Sequence, residues 1–232
     1  GGSLVLNFGD KELRKIGTKM ARGEKTKVVF YNRAKFKKHP LLIFGVHNQL
    51  NAEAAQTAAN LLGAGEEAAE KVFRSYRGAW RRMEQLNTDN LKLITHAVVY
   101  SDYAHHPTEI KATLAALRGK FPRKRIVCVF EPHQADRLRR LFALFITAFS
   151  AADKVVLLPS YQVAGREEEK RNGANDSFAL AQEVGRKKKE TFYAATFADA
   201  VKAVRTDLVS DAVIVFMGAG AIDAEVRKYF GI

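Results

Sequence analysis

Cysteine is nearly absent from this chain, long apolar runs are missing, and acidic side chains are scarce beside basic ones. A lone cysteine excludes any disulfide within the chain. Cys128 lies inside Ile126-Val127-Cys128-Val129-Phe130. Apolar burial raises a thiol pKa, so Cys128 reads as a core strand residue and not as a nucleophile. No apolar run approaches the roughly 20 residues needed to cross a bilayer. The Gly1-Gly2-Ser3 start carries neither a basic n-region nor an apolar h-region. Those three residues read as an expression remnant and the chain as cytoplasmic. Internal repeats and low-complexity tracts are also missing. A hydrophobic content of 47% in 232 residues is ample for a core, in one large domain or two small ones.

The acid deficit leaves a net charge of +13, which suits nucleic acid, anionic lipid or a phosphorylated ligand. The densest clusters are Arg118 to Arg125, around Phe121, and Arg186-Lys187-Lys188-Lys189. The first lies where a helix should give way to a strand and the second just before Thr191-Phe192-Tyr193, so both fall on connections. Neither interleaves aromatics as a single-strand stacking platform does. A solvated rim therefore accounts for them better than a nucleic-acid interface.

From residue 94 onward, short apolar runs alternate with helical patterns, the signature of βα units on a parallel sheet. Strands are expected at Ile94–Tyr100, Arg125–Phe130, Lys154–Leu158, Thr191–Ala194 and Ala212–Met217. Helices are expected at Pro107–Arg118, Ala135–Ala148, Ser177–Gly185, Phe197–Arg205 and Ala221–Tyr229. Right-handed crossovers assemble such units into a Rossmann-like, doubly wound α/β domain with a mostly parallel sheet. Gln162 to Asp176 is Gly-rich, charged and without apolar periodicity, and reads as a surface loop over the sheet's ligand edge.

The first 90 residues read differently. A strand at Leu4–Asn7, a helix at Asp10–Arg22 with Asp10 as N-cap, and a strand at Lys27–Tyr31 come first. Helices follow from Leu50 to about Leu62, with alanines giving a slim face, and from Glu66 to Tyr76. Two short strands around Arg82–Gln85 and Lys92–Thr95 could pair across Asn87-Thr88-Asp89-Asn90. The domain boundary is expected near residue 90, dividing the chain into 1–90 and 91–232.

Directly after Ala97-Val98-Val99-Tyr100 comes Asp102-Tyr103-Ala104-His105-His106-Pro107-Thr108-Glu109. A strand that ends in acid, imidazole and hydroxyl groups puts polar chemistry where parallel sheets bind ligands. Pro107 suits the first turn of the following helix, and Asp102 taken alone could cap it. His105 and His106 are consecutive, so they lack the one-face spacing of paired metal ligands and no metal site is expected. Upstream, Gly45-Val46-His47-Asn48-Gln49-Leu50-Asn51-Ala52 puts His47, Asn48 and Asn51 at a helix entry. Free N–H groups and the positive dipole end there favour a polar or anionic ligand, although Asn48 alone reads first as a helix cap. Arg82 alone is a surface arginine, and Arg137, Arg139 and Arg140 alone are the polar face of an amphipathic helix. Gly218-Ala219-Gly220 has Asp223 in the slot of a third glycine, so it reads as a tight strand-to-helix turn.

The stretch from Asp102 to Glu109 resembles the Asp-Tyr-(Ala/Gly)-His-His-Pro-Thr-Glu motif that opens the C-terminal domain of the Mur ligases. The likeness is to the branch that joins L-alanine to UDP-N-acetylmuramate. Gly45 to Ala52 is similar to the family's adenine-side motif, Gly-x-His-Asn-x-x-Asn-Ala. Arg81-Arg82-Met83-Glu84, Glu131-Pro132-His133 and Val215 to Gly220 also match, in family order. The resemblance implies the end of an ATP-binding central domain followed by a Rossmann-like ligase domain. The implied activity is ATP- and Mg2+-dependent carboxylate–amine ligation through an acyl phosphate, in peptidoglycan precursor synthesis. It implies that His47, Asn48, Asn51, Arg82 and Asp102 face ATP and that His105 acts at the reacting carboxylate or the incoming amino acid. It further implies that His133 and Arg137 surround that amino acid's carboxylate, a task suited to arginine's planar fork. Gln134 stands where the family has its first arginine. This keeps open the related ligase that attaches a ready-made tripeptide to the same sugar nucleotide.

Two parts of the implied chemistry are missing. A Gly-x-x-x-x-Gly-Lys-(Ser/Thr) phosphate loop occurs nowhere, and its nearest approach, Gly23-Glu24-Lys25-Thr26, follows a helix instead of preceding one. The family's uridine-nucleotide domain is also missing, so the chain alone is not expected to complete the reaction. A non-catalytic module binding nucleic acid or another polyanion is the alternative, and its affinity would fall steeply with salt.

Overall fold

The computed structural model describes residues 2–23, 26–32, 38–87, 96–162, 176–187 and 190–232. They form two compact units, Gly1–Gly78 and Ala79–Ile232. The division falls ahead of residue 90 because residues 81–86 are bonded into the sheet of the second unit.

In the first unit, strand β1 (Gly2–Asn7), helix α1 (Lys11–Met20) and strand β2 (Thr26–Tyr31) make a parallel βαβ unit. Asp10 caps α1 as expected, its carboxylate accepting from the Glu12 and Leu13 N–H groups at 2.9 and 3.0 Å. Gly17 lets that helix lie directly on the strands: a Cβ there would meet Phe30 Cζ at 2.5 Å and Leu6 Cδ1 at 2.7 Å. Helix α2 (Val46–Leu61) begins ahead of the expected Leu50, and α3 (Glu66–Ser75) follows. The earlier start comes from Gly45, whose φ of 107° turns the chain into the helix. Gln49 of α2 brackets the His39 backbone, accepting from its N–H at 2.7 Å and donating to its carbonyl at 3.1 Å.

The second unit is the mostly parallel α/β domain expected from the sequence. It contains β3 (Glu84–Gln85), β4 (Val98–Asp102), α4 (Pro107–Lys120), β5 (Arg125–Glu131), α5 (Ala135–Arg140) and α6 (Phe142–Ile146). There follow β6 (Lys154–Leu157), α7 (Ser177–Lys187), β7 (Glu190–Tyr193), α8 (Phe197–Leu208), β8 (Ala212–Gly218) and α9 (Ile222–Phe230). The strand order is β3-β4-β8-β5-β6-β7, parallel throughout except for β3 against β4. The last strand in sequence thus lies centrally, and every residue of β8 is buried. Its unbroken apolar run is what a strand covered on both faces requires.

One face of the sheet packs Val127, Val129, Ile214 and Phe216 against Val204 of α8 and Val226 and Phe230 of α9. On the alternate face Phe130 meets Phe145 and Phe149 at 5.9 and 5.5 Å between ring centroids. Cys128 is fully buried, and desolvation followed by the charge of Asp102 pushes its thiol pKa far up, so the thiol is chemically quiet.

Two expectations differ in detail. The single helix expected over 135–148 is two short ones, because the Leu141 backbone leaves helical geometry at φ −106° and ψ 16°. The short strand near residue 84 pairs with β4 through Gln85 and Tyr100. Lys92–Thr95, its expected partner, lies outside the described residues, as does nearly all of the Gln162–Asp176 loop.

At the N-terminal edge of the sheet several basic residues are paired with acids. Lys154 and Asp207 are 6% and 4% exposed and pair at 2.8 Å. Arg125 bonds Asp207 at 2.8 Å and also Glu190. Arg118 holds the Lys124 carbonyl at 2.8 Å and Asp153 at 2.5 Å, and Lys124 pairs with Asp211. The first basic cluster is therefore largely engaged in ion pairs and loop carbonyls. Arg186 pairs with Glu183, while Lys188 and Lys189 lie outside the described residues.

Asp207→Ala leaves the Lys154 ammonium buried without its carboxylate, and about 3–5 kcal/mol of stability should be lost. Adding Lys154→Met should restore most of that loss. Urea denaturation of the three chains checks this, and a single-variant loss below about 1 kcal/mol contradicts it.

Candidate functional site at the C-terminal edge of the sheet

Because β4, β8, β5, β6 and β7 are parallel, their C-terminal ends share one edge, where open α/β sheets bind ligands. Asp102 ends β4 and is only 3% exposed. Its carboxylate accepts from the Met83 and Ala104 N–H groups, both at 2.7 Å. Burial raises its pKa, opposed by those two N–H groups and by the charge of Arg82. Asp102 is thus not the cap of α4. That role falls to His106, whose Nδ1 accepts from the Thr108 N–H at 3.2 Å. Glu109 Oε2 accepts in turn from the His106 and His105 N–H groups at 3.1 and 3.0 Å. Burial alone would raise the Glu109 pKa, but these N–H groups and the nearby His105 and Arg82 outweigh it and hold it low.

His105 Nδ1 lies 3.0 Å from the Tyr103 carbonyl. A carbonyl only accepts, so this contact puts the proton on Nδ1 and makes Nε2 the basic nitrogen. Rings then run along the edge in a row. Tyr103 meets His105 at 5.4 Å, His105 meets His133 at 6.0 Å, and His133 stacks on Tyr161 at 5.6 Å with an interplanar angle of 14°. Arg81 and Arg82 end the row, their guanidinium groups 4.8 and 5.4 Å from the Tyr103 ring centre.

The two arginines have opposite fates. Arg81 and Met83 both take left-handed backbone, at φ 55° and 50°, so the intervening Arg82 is turned the other way. Arg81 is 7% exposed and donates to the Gly218 carbonyl at 2.5 Å. Its Nε sits 3.8 Å from Asp223, which also receives Ser101 Oγ at 2.5 Å and Arg227 Nε at 3.0 Å. Arg227 continues to Glu84 at 2.7 Å, closing the network on the segment that carries Arg81. Arg82 is half exposed and 3.7 Å from Glu109.

Arg137 stands on α5, whose neighbouring Leu138 is buried and anchors the helix. Its Nη1 is buried and has no hydrogen-bond partner among the described residues. Gln134 precedes the helix at φ 65°, a left-handed conformation uncommon for a residue with a Cβ. Glu131 ends β5, and its Oε2 accepts from the Ile222 N–H at 3.2 Å; burial raises its pKa against the pull of that N–H and of Arg81.

Arg82, Asp102, His105 and His133 therefore lie along one edge of the second unit, with Arg137 on the helix that leaves it. His47, Asn48 and Asn51 form a separate group at the start of α2 in the first unit. Gly45, not Asn48, is the N-cap there, and Asn48 Nδ2 donates to the Phe44 carbonyl at 2.8 Å. Sequence reasoning gave no role to Arg81, Glu131 or Tyr161. Position was the available signal: Glu131 ends a strand, and Tyr161 closely follows one.

Residues 81–220 match the family model described as Mur ligase, glutamate ligase domain. The chain is 36% identical over 201 residues to a UDP-N-acetylmuramate–L-alanine ligase of Hydrogenobaculum sp., covering 87% of this chain and 42% of that protein. The chain thus spans about two fifths of that relative's length. Among solved structures, a UDP-N-acetylmuramate–alanine ligase of Thermotoga maritima superposes with a TM-score of 0.70 at 22% identity, covering 97% of this chain and 50% of the other. A murein peptide ligase of Psychrobacter arcticus gives 0.60 at 18%, covering 99% and 51%. At those identities the structures share the fold.

Asp102→Ala leaves two buried N–H groups without an acceptor and should cost about 1–3 kcal/mol. Burial raises the Asp102 and Glu131 carboxyls, so the folded state holds their protons more tightly than the unfolded chain does. Their contribution to stability is full below the unfolded-state value of about 4 and declines as pH rises to their folded values. Denaturation across pH, compared with Asp102→Asn and Glu131→Gln, checks the sign; no change in the pH slope would contradict it.

Proposed function

The chain belongs to the Mur ligase family, and from that premise we propose that it is the acceptor-binding part of an ATP-dependent ligase of peptidoglycan precursor synthesis. The reaction joins the amino group of L-alanine to the carboxylate of UDP-N-acetylmuramate. The observation that carries this reading is the buried Arg137 Nη1, without a partner among the described residues, on the helix that follows the His105–His133 pair. A buried guanidinium donor without an acceptor is costly, and an amino-acid carboxylate supplies the acceptor it lacks. The name of the Hydrogenobaculum relative and the presence of His133 and Arg137 favour L-alanine over the tripeptide. The ion pairs that occupy the first basic cluster weigh against the polyanion reading.

ATP and Mg2+ are implied by the family. Arg82, half exposed over the Tyr103 face, suits a nucleotide, and so does the α2 N-terminus with Asn48 and Asn51. Among the described residues no group of three or more His, Cys, Asp or Glu could hold a metal ion, so no Mg2+ ligands are assigned to them. When bound, ATP supplies the activation of the sugar-nucleotide carboxylate. The residues of this chain then receive the amino acid. Arg137 and His133 hold its carboxylate and fix where its amino group points. His105, whose Nδ1–H donates to the Tyr103 carbonyl, offers Nε2 to take the ammonium proton that must leave before nitrogen can attack. Gln134 contributes amide donors without charge.

In the full-length protein, Arg137→Ala should raise KM for L-alanine at least about tenfold, with a smaller change in kcat, as loss of a charge-assisted hydrogen bond requires. Thermal stability should hold, because the side chain has an unmet donor to lose. An unchanged KM for L-alanine in a folded variant sinks this reading.

A further inference from the structure

Tyr161 belongs both to the row of rings and to a cleft beside it. One face of its ring is stacked on His133. Tyr161 also lines a cleft of about 520 Å³ at the same sheet edge, walled by Glu131, Thr196, Phe197, Ile222 and Glu225. That volume lies within the range of roughly 300–1,000 Å³ typical of small-molecule sites. His105, His133 and Arg137 do not line the cleft. The tyrosine is therefore shared by the histidine cluster and a space far larger than a methyl side chain needs.

The ring is held in place from several directions. The Tyr161 N–H donates to the Pro132 carbonyl at 2.7 Å, and the two strand-end loops form a parallel bridge at His133 and Tyr161. Below it lies Gly220, where an added Cβ would meet Tyr161 Cγ at 2.3 Å and Glu131 Oε2 at 2.4 Å. Absence of a side chain at Gly220 is thus a condition for the ring's position. Pinned through its backbone, stacked on an imidazole and seated on a glycine, the ring, 37% exposed, forms part of the cleft wall.

We propose that Tyr161 is a specificity-determining residue that limits the acceptor to a small side chain, by closing the amino-acid site off from the cleft. The proposal rests on the ligase reading above, because it needs the acceptor beside His133. Removing the ring joins the two spaces and admits a longer apolar side chain next to Phe197 and Ile222.

The test is made in the full-length protein, comparing kcat/KM for L-alanine and L-leucine. Tyr161→Ala should shift the ratio towards L-leucine at least about tenfold, the scale on which pocket volume discriminates apolar side chains. Tyr161→Phe keeps the stack and the wall and should leave the ratio within about twofold on that scale. Where Tyr161→Ala fails to fold, Tyr161→Leu covers Gly220 without the planar stack and should shift the ratio the same way. An unchanged ratio in an active Ala or Leu variant overturns the proposal, as does a Phe variant that behaves like Ala. A wild-type protein that ligates no amino acid removes the ligase reading itself, a different result from an active enzyme with an unmoved ratio.

Discussion

A guanidinium buried at the open end of a parallel sheet sets the geometry on which the candidate site depends. Strand ends leave carbonyls without ladder partners, and burying them has a cost unless donors are supplied. Arg81 supplies such a donor to Gly218, and its own charge is balanced by Asp223, itself held by Ser101 and Arg227. Anchoring Arg81 forces residues 81–83 into alternating directions, which presents Arg82 outward over Tyr103. Asp102 locks the same segment from the other side through the Met83 N–H. The exposed arginine is therefore positioned by buried neighbours, and so is the Tyr103 ring that begins the row towards His133.

The two edges of the sheet put charge to different uses. At the N-terminal edge Lys154, Asp207, Arg125 and Glu190 neutralise one another, leaving little free to meet a ligand. At the C-terminal edge the groups are matched less completely: Arg137 keeps an unmet donor, and Asp102 and Glu131 resist ionisation. Incomplete matching is costly in a folded protein, and perturbed groups of this kind gather where ligands bind. A net charge of +13 gave no hint of this division, because it sums over both edges.

Much of the second unit was legible in the sequence. Short apolar runs rich in β-branched residues, such as Ala212–Met217, read as strands covered on both faces, and Pro107 marks a helix start that the structure keeps. Asp10 as a cap was equally readable, since an acid before an amphipathic run has few other uses. The order β3-β4-β8-β5-β6-β7 was not legible: that β8 returns to the centre depends on long-range pairing that no local pattern encodes. The break at Leu141 was hidden for the same reason, because it sits inside a continuous helical pattern. Arg82, Asp102, His105, His133 and Arg137 were nameable through motif resemblance. Arg81 was legible only as a motif neighbour of Arg82, and Tyr161 was not legible, because their weight comes from burial and from a ring stacked between loops distant in sequence.

The central claim is that a small amino acid binds beside His105 and His133, and titrating histidine-labelled chain with L-alanine in the presence of Mg-ATP tests it most directly. Binding at this edge should move the side-chain resonances of His105 and His133 together and saturably, while the exposed His96 stays fixed. Resonances of His105 and His133 that stay still, or that move no more than His96, would place the acceptor elsewhere.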